Sequence, residues 1–183
     1  MSHATSADGT HNLPFEGILP GRPEPYFLKD GEGEKSVVFD QLFTILLSGD
    51  ETDNQYGVFT ADAPAGERIP AHQHLTTHEI FYIVGGSLHL WVDDQKGFHS
   101  KRTLAAGDFA FVPTKVVHAF QVESTVRILG VSTAGFERFF HDMGTPTDKP
   151  GIPAIPYITP IQQMLAAGAA HETVFMPDWQ FQD

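Results

Sequence analysis

Eight short segments rich in β-branched and aromatic residues occupy the middle of this chain. Turn-forming residues such as Gly85-Gly86 and Gly107-Asp108 separate them, and no helical pattern lies between them. The predicted strands are Val37–Leu47, Tyr56–Ala61, Ile69–His74, Glu79–Val84, Ser87–Val92, Phe109–Pro113, Val117–Val122 and Val126–Ser132. Short strands at near-regular spacing are typical of antiparallel sandwiches and barrels, so we expect an all-β fold.

The chain has 183 residues, which is enough for one domain with a substantial core. Residues 1–20 are small and polar, and we expect a flexible tail there. Residues 21–183 are predicted to form a single domain, with a barrel core over about 37–133 and a C-terminal helical extension over 134–183. In that extension Phe136, Phe139 and Phe140 share one face of a short helix, which we expect to pack against the outside of the sheet. A second helix is expected from Pro160.

The composition excludes several classes of partner. The chain has 23 acidic and 11 basic residues, a net charge of −12, which would repel a nucleic-acid backbone. No apolar run approaches the roughly 20 residues that cross a membrane, and the N-terminus has no leader pattern, so we expect a cytoplasmic protein. There is no cysteine, so any metal would be held by nitrogen and oxygen ligands.

Histidines and one glutamate are concentrated around the predicted strand Ile69–His74. Alternation along a strand places His72 and His74 on the same face, and Glu79 opens the next predicted strand. His118 opens a later strand and is the candidate for a fourth ligand. Imidazole and carboxylate groups suit a first-row transition metal. A structural role for these histidines is the alternative, and spacing by itself leaves both interpretations open.

Two stretches resemble the paired signatures of the cupin superfamily. The first runs from Gly66 through "HQH" and Glu79 to Gly86, and the second from Gly107 through Pro113 to His118. The resemblance implies a β-sandwich closed into a jelly-roll barrel, with one divalent metal held by His72, His74, Glu79 and His118.

The second signature departs from the usual pattern at one turn. Lys115 stands where glycine is usual. Because a positive φ is costly for lysine, we expect this turn to be built differently.

A closer resemblance, over about residues 25–160, is to the single-domain quercetin 2,3-dioxygenases. It rests on stretches such as "NQYGVFTADAPAGERIPAHQH" and "FERFFHDMGTP". It implies an aromatic small-molecule substrate, namely a flavonol whose heterocycle is opened with O2 as co-substrate and release of carbon monoxide. The metal would be Fe, Mn, Co, Ni or Cu. Glu79 would be both ligand and catalytic base, the alternative being a plain fourth ligand.

Inward-facing aromatic residues are the candidates for the substrate pocket. Alternation places Phe81 with Glu79 and Phe120 with His118, and Phe59 and Tyr56 on the preceding strand are further candidates. Each could instead be an ordinary core residue.

The remaining histidines are expected outside the site. His89 and Trp91 should face solvent or a second subunit, which makes a homodimer possible. His141 is expected on the surface of the helix.

Other functions fit the same ligand set. A metal-dependent cupin isomerase, lyase or cyclase could act on another enol or phenol without O2. A non-catalytic binding module is disfavoured because every ligand position is filled. Oxygen uptake with carbon monoxide release would distinguish these classes.

Overall fold

The computed structural model of the chain describes residues 15–182. Its strands are β1 Glu34–Val38, β2 Gln41–Leu47, β3 Tyr56–Ala63, β4 His72–His74, β5 Glu79–Asp93, β6 His99–Ala105, β7 Phe109–Val112, β8 Val117–Thr133, β9 Thr145–Pro146 and β10 Thr173–Phe175. Its α-helices are α1 Glu137–Met143 and α2 Ile161–Ala170, and a short 3-10 helix spans Gly49–Thr52. All strand pairs are antiparallel, which confirms the predicted all-β fold.

A long ribbon of β5 and β8 organises the fold. The two strands pair from Glu79 opposite Ser132 to Asp93 opposite Val117, with register shifts between Ile83 and Leu88. At the bend, Gly86 has a φ of +78°, and a Cβ there would collide with the backbone of Thr125. Glycine alone fits this position, because the chain approaches its partner strand too closely for a side chain.

The bend divides the ribbon between two sheets. The first half of β5 and the second half of β8 belong to a sheet ordered β7-β5-β8-β3-β2-β1-β9. The remaining halves belong to a sheet ordered β6-β5-β8-β4-β10. Phe81 on one sheet and Phe120 on the other have ring centroids 6.4 Å apart, so the two sheets face each other across the core.

Side-chain alternation fills the space between the sheets with apolar groups. Phe59, Ile83, Val126 and Ile128 are all buried in one cluster. Each large aliphatic side chain that is fully buried contributes about 1.5–3 kcal/mol relative to an exposed one. The same alternation carries polar ligands inward where histidine or glutamate replaces an apolar residue.

Helix α1 closes one end of the sandwich instead of covering its outer surface. Phe140 stacks on Phe43 of β2 with ring centroids 3.9 Å apart and contacts Phe59 at 4.6 Å. Phe136 and Phe139 are buried in the same core cluster. The expectation that this helix packs against the outside of the sheet is therefore wrong. Its aromatic face packs into the core and covers one end of the barrel.

The strand boundaries differ from those predicted. Glu79–Val84 and Ser87–Val92 are parts of one strand, β5, and Val117–Val122 and Val126–Ser132 are parts of one strand, β8. The predicted segment Val37–Leu47 is a hairpin of β1 and β2, which turns at Phe39 with a φ of +54°. Strands β6, β9 and β10 were not predicted. The sequence "HSKRTLA" of β6 is polar because most of its residues are exposed at a sheet edge, where charged side chains are common.

Two side chains expected on the surface are buried. Trp91 is 6% exposed because the Arg68 guanidinium and the Lys101 ammonium lie over its ring, 5.3 and 4.8 Å from the centroid. This removes the observation that favoured a homodimer, which stays a prediction.

His141 is also buried, in a polar cluster inside the protein. It contacts Glu34 Oε2 at 3.0 Å through Nε2 and Ser36 Oγ at 2.9 Å through Nδ1. The helix turns this histidine towards β1, so its expected surface position is wrong.

Most of the predicted N-terminal tail lies outside the described residues. Of its last six residues, Phe15 and Leu19 are buried, and Phe15 packs against His141 with ring centroids 4.1 Å apart. Among the residues that the structure describes, no helix is long and apolar enough to span a membrane.

Candidate metal centre

Four side chains from three strands converge between the two sheets. His72 and His74 lie on the same face of β4, and His72 is directly opposite His118 at the start of β8. Glu79 is the first residue of β5 and belongs to the facing sheet. The bent ribbon therefore brings a carboxylate from one sheet to three imidazoles on the other.

The geometry of the four groups is that of a compact cluster. One ligand atom from each side chain lies within 4.8 Å of all the others. Glu79 Oε2 is 3.1 Å from Nε2 of His74 and 3.0 Å from Nε2 of His118. His74, Glu79 and His118 are buried, with His118 only 1% exposed, and His72 is half-buried. The structure thus brings together all four predicted ligands.

The Nδ1 atom of each of the three imidazoles makes a hydrogen bond within the protein. Nδ1 of His72 contacts the carbonyl oxygen of Pro70 at 3.0 Å, and Nδ1 of His118 contacts that of Val116 at 3.1 Å. Nδ1 of His74 lies 2.8 Å from Thr173 Oγ1. A carbonyl oxygen only accepts, so His72 and His118 carry their protons on Nδ1 and present the Nε2 lone pair to the cluster.

The cluster contains buried polar atoms that lack hydrogen-bond partners. They are Nε2 of His74, Nε2 of His118 and Oε2 of Glu79. Leaving such atoms buried and unpaired is costly, and a bound cation would compensate all three at once. The residues present therefore fit a divalent transition metal, which three imidazoles and one carboxylate would hold with coordination positions left open.

The pKa values of two ligands are shifted towards the metal-binding forms. Burial, with smaller contributions from His118 and His74, holds the pKa of His72 well below 6.5. Burial alone would raise the pKa of Glu79, but His74 and His118 outweigh it and hold that pKa well below 4.5. At neutral pH the centre therefore offers a neutral imidazole from His72 and an ionised carboxylate.

An apolar cavity of about 110 Å³ adjoins the centre. His72, His74 and Glu79 line it at one end, and Phe59, Phe81 and Phe120 line it as the sequence predicted. Tyr56 is not among the lining residues and is 45% exposed. Alternation explains this difference, because Phe59 points inward on β3 and a residue three positions away points outward.

Several lining residues were missed at the sequence level. Phe139 and Phe140 come from α1, Phe136 is the N-cap residue of that helix, and Phe175 comes from β10. The shared face of Phe136, Phe139 and Phe140 was visible in the sequence, but its inward orientation depends on where the helix docks. No local signal identifies Phe175 as a wall of the cavity.

Gln41 is the one polar lining residue in the described chain besides the candidate ligands. It alternates with Phe43 and Ile45 on β2, so its side chain faces the interior, and it is 8% exposed. Within residues 15–182 its amide makes no hydrogen bond to another residue. Val38, Phe39 and Ile69 also line the cavity, together with the exposed Pro70.

The turn before β8 is built with a positive φ after all. Lys115 has a φ of +65°, so the expectation of a different turn is wrong. Its N–H is anchored to the carbonyl oxygen of His74 at 2.7 Å, and its own carbonyl oxygen accepts from the Gln95 amide at 3.2 Å. These bonds hold the lysine in a conformation that glycine adopts more easily.

Comparison with known proteins agrees with this architecture. Residues 59–132 match the family model of the Cupin domain. Oxalate decarboxylase from Bacillus subtilis superimposes with a TM-score of 0.52 over 64% of this chain and 32% of its own, at 16% sequence identity, a similarity of fold. Residues 59–132 thus form a cupin domain.

Within that class the chain resembles quercetin 2,3-dioxygenases. It is 35% identical over 140 residues to the quercetin 2,3-dioxygenase of Bacillus subtilis, covering 75% of this chain and 40% of that protein. It is 29% identical over 143 residues to the quercetin 2,3-dioxygenase of Aspergillus japonicus, covering 75% and 41% respectively. The chain thus spans about two fifths of the length of these relatives.

Proposed function

We propose that this cupin is a metal-dependent dioxygenase that opens the heterocycle of a flavonol such as quercetin. One flavonol and one O2 would give one depside and one carbon monoxide. The observation that carries the proposal is the buried three-histidine and glutamate cluster at the end of an aromatic cavity. The resemblance to quercetin 2,3-dioxygenases supports this choice among the reactions of cupins.

His72, His74, His118 and Glu79 would hold the ion. Fe, Mn, Co, Ni and Cu all accept this nitrogen and oxygen donor set. When bound, the ion would supply Lewis acidity that stabilises a flavonol oxyanion. The protein contributes the fixed orientation of the three rings, through the partners of their Nδ1 atoms.

Glu79 is the proton acceptor in this proposal. Its carboxylate is ionised at neutral pH and lies inside the cluster, within reach of a hydroxyl group that enters from the cavity. A carboxylate of low pKa is a weak base, but a hydroxyl next to a cation loses its proton more easily, so a weak base suffices.

The walls of the cavity are chemically suited to an aromatic substrate. Phe81 and Phe120 approach edge to face, and the α1 rings close the end of the barrel. Apolar walls exclude water from the centre, which strengthens the interaction of any oxyanion with its surroundings. Gln41 would donate or accept a hydrogen bond at a ring hydroxyl away from the centre.

Sequential anaerobic and aerobic mixing tests this function. Metal-loaded protein is mixed with quercetin without O2, and then O2 is admitted while absorption, O2 uptake and carbon monoxide are measured. We expect a shift of the flavonol band on binding, then bleaching with one O2 consumed per carbon monoxide released. The metal salt alone and the His118→Ala protein are the controls.

Binding without bleaching would overturn the dioxygenase assignment. It would favour a cupin isomerase, lyase or cyclase that acts on an enol or phenol without O2. Absence of any flavonol binding by metal-loaded protein would overturn the aromatic substrate as well.

A further inference from the structure

The C-terminal strand β10 contributes a buried hydroxyl to the candidate metal centre. β10 pairs with β4 so that Thr173 is directly opposite His74. Both side chains are buried, and Thr173 Oγ1 lies 2.8 Å from His74 Nδ1. Thr173 lies outside residues 59–132, the part of the chain that matches the Cupin domain family.

This contact differs in kind from those made by the other two histidines. His72 and His118 each contact a backbone carbonyl oxygen two residues away, which fixes the proton on Nδ1. His74 depends on a side chain 99 residues away. A hydroxyl can donate or accept, so its role depends on its own surroundings.

The surroundings of Thr173 direct its hydroxyl. Oγ1 lies 3.4 Å from the carbonyl oxygen of His171, which can only accept. With the hydroxyl proton donated to that carbonyl, a lone pair of Oγ1 accepts the Nδ1 proton of His74. Nε2 of His74 then carries a lone pair directed into the cluster.

The opposite tautomer of His74 would block the centre. Nε2 lies 3.1 Å from Glu79 Oε2, so a proton on Nε2 would be drawn towards that carboxylate. A ring held in this form could not ligate an ion through Nε2. The Thr173 hydroxyl favours the competent tautomer, because donating its proton to a bare Nδ1 instead would cost it the bond to the His171 carbonyl oxygen.

β10 is anchored firmly enough to hold this contact. Met176 donates its N–H to Ala71 at 2.7 Å, and Leu75 donates to Glu172 at 2.9 Å. The Thr76 hydroxyl donates to the Glu172 carboxylate at 2.6 Å. These bonds join β10 to both ends of the β4 segment.

We propose that Thr173 is a positioning residue that keeps the proton of His74 on Nδ1 and thereby sets the affinity of the centre for a divalent metal. The proposal rests on the metal centre of the proposed function but not on the identity of its substrate. It makes the C-terminal strand a working part of the site.

Three variants of the full chain test the proposal. Thr173→Val removes the hydroxyl at nearly constant size, and Thr173→Ser retains it. Thr103→Val is the matched control, because Thr103 Oγ1 makes the same kind of bond to Nδ1 of His89 at 3.0 Å, in the β5–β6 pair. His89 is not part of the cluster.

The readouts are metal affinity and tautomer. The Co²⁺ dissociation constant is measured by competition with a coloured chelator at fixed pH. We expect Thr173→Val to raise it roughly 10- to 100-fold, with Thr173→Ser and Thr103→Val near the wild-type value. Long-range nitrogen NMR of the metal-free protein should show His74 protonated on Nδ1, with a shift towards Nε2 in Thr173→Val.

Two other outcomes would contradict the role of Thr173 or the metal centre itself. Tight Co²⁺ binding that Thr173→Val leaves unchanged, or an unchanged His74 tautomer, would overturn the role of Thr173 alone. A wild-type protein that binds no Co²⁺ would overturn the metal centre itself. Thr173→Ala is compared with Thr173→Ser in the same way if the valine variant does not fold by circular dichroism.

Discussion

Lys115 donates its backbone N–H to the carbonyl oxygen of His74 while holding a left-handed conformation. That conformation costs an L-residue with a Cβ about 1–2 kcal/mol, and glycine avoids the cost but loses about 0.5–1 kcal/mol through its flexible unfolded state. We expect Lys115→Gly to raise the free energy of unfolding of the metal-free protein by about 0.5–1 kcal/mol. Lys115→Ala, which retains a Cβ, should leave it nearly unchanged. A glycine variant less stable than the alanine variant in urea denaturation would contradict this account.

Metal binding should stabilise the folded protein. An ion that binds only the folded state at 100 times its Kd adds about 2.7 kcal/mol to the free energy of unfolding. We expect Ni²⁺ or Co²⁺ to raise Tm and a chelator to reverse the change. His118→Ala should abolish the increase because it removes one ligand, whereas His89→Ala should retain it. An equal increase in both variants would place the ion elsewhere.

Glu79→Gln separates the two roles of that residue. The amide keeps the shape of the side chain but cannot take a proton from a bound hydroxyl. At saturating metal and without O2, we expect the variant to bind quercetin with the absorption of the neutral flavonol, whereas the wild type shows that of the anion. If Glu79→Gln showed the spectrum of the anion, Glu79 would not be the base, and its role would be that of a metal ligand alone.

The pKa shifts give the metal-free protein a defined dependence of stability on pH. The folded pKa of His72 is below its ordinary value of 6.5, so below pH 6.5 the unfolded chain takes up a proton that the folded protein refuses. The Glu79 pKa is also depressed, so its contribution is present above about pH 4.5 and is lost as the pH falls further.

Stability should therefore fall with decreasing pH, first below 6.5 and again below 4.5. Each group contributes a slope of at most about 1.4 kcal/mol per pH unit. His72→Gln should flatten the first decline when the free energy of unfolding is measured from pH 8 to pH 5. A variant that declines as steeply as the wild type in this range would show that His72 is not the group responsible.

Gln41 should discriminate between flavonols. A single hydrogen bond contributes about 0.5–1.5 kcal/mol, so its loss corresponds to roughly 2- to 10-fold in affinity. We expect Gln41→Leu to weaken anaerobic binding of quercetin by that factor. Binding of 3-hydroxyflavone, which has no other hydroxyl, should be unchanged or tighter. Equal losses for both compounds would indicate a distorted cavity and contradict a specific contact.

The sequence predicted the centre better than its surroundings. The spacing of His72, His74, Glu79 and His118 identified four groups that the fold brings together. Alternation placed Phe81 and Phe120 correctly, because both lie on regular strands. The positions of these residues could be predicted because the information is local or belongs to a family pattern.

The residues that were missed depend on contacts between distant segments. Trp91 alternates with apolar neighbours as a surface residue would, but Arg68 covers it from another part of the chain. Thr173 and Phe175 lie in a three-residue strand that forms only because β4 offers an edge. Nothing in the sequence around Thr173 and Phe175 indicates that β4 is their partner, so the local pattern does not predict their place in the site.

The pairing of Thr173 with His74 also sets an order of events during synthesis. Ribosomes add about 5–20 residues per second, so the 99 residues between the two positions take roughly 5–20 s to translate. Throughout that interval the outer edge of β4 has no partner strand. The His74 imidazole then has no Thr173 hydroxyl to accept its Nδ1 proton. Binding of an ion with His74 in the proposed tautomer would therefore follow the emergence of Thr173 from the ribosome.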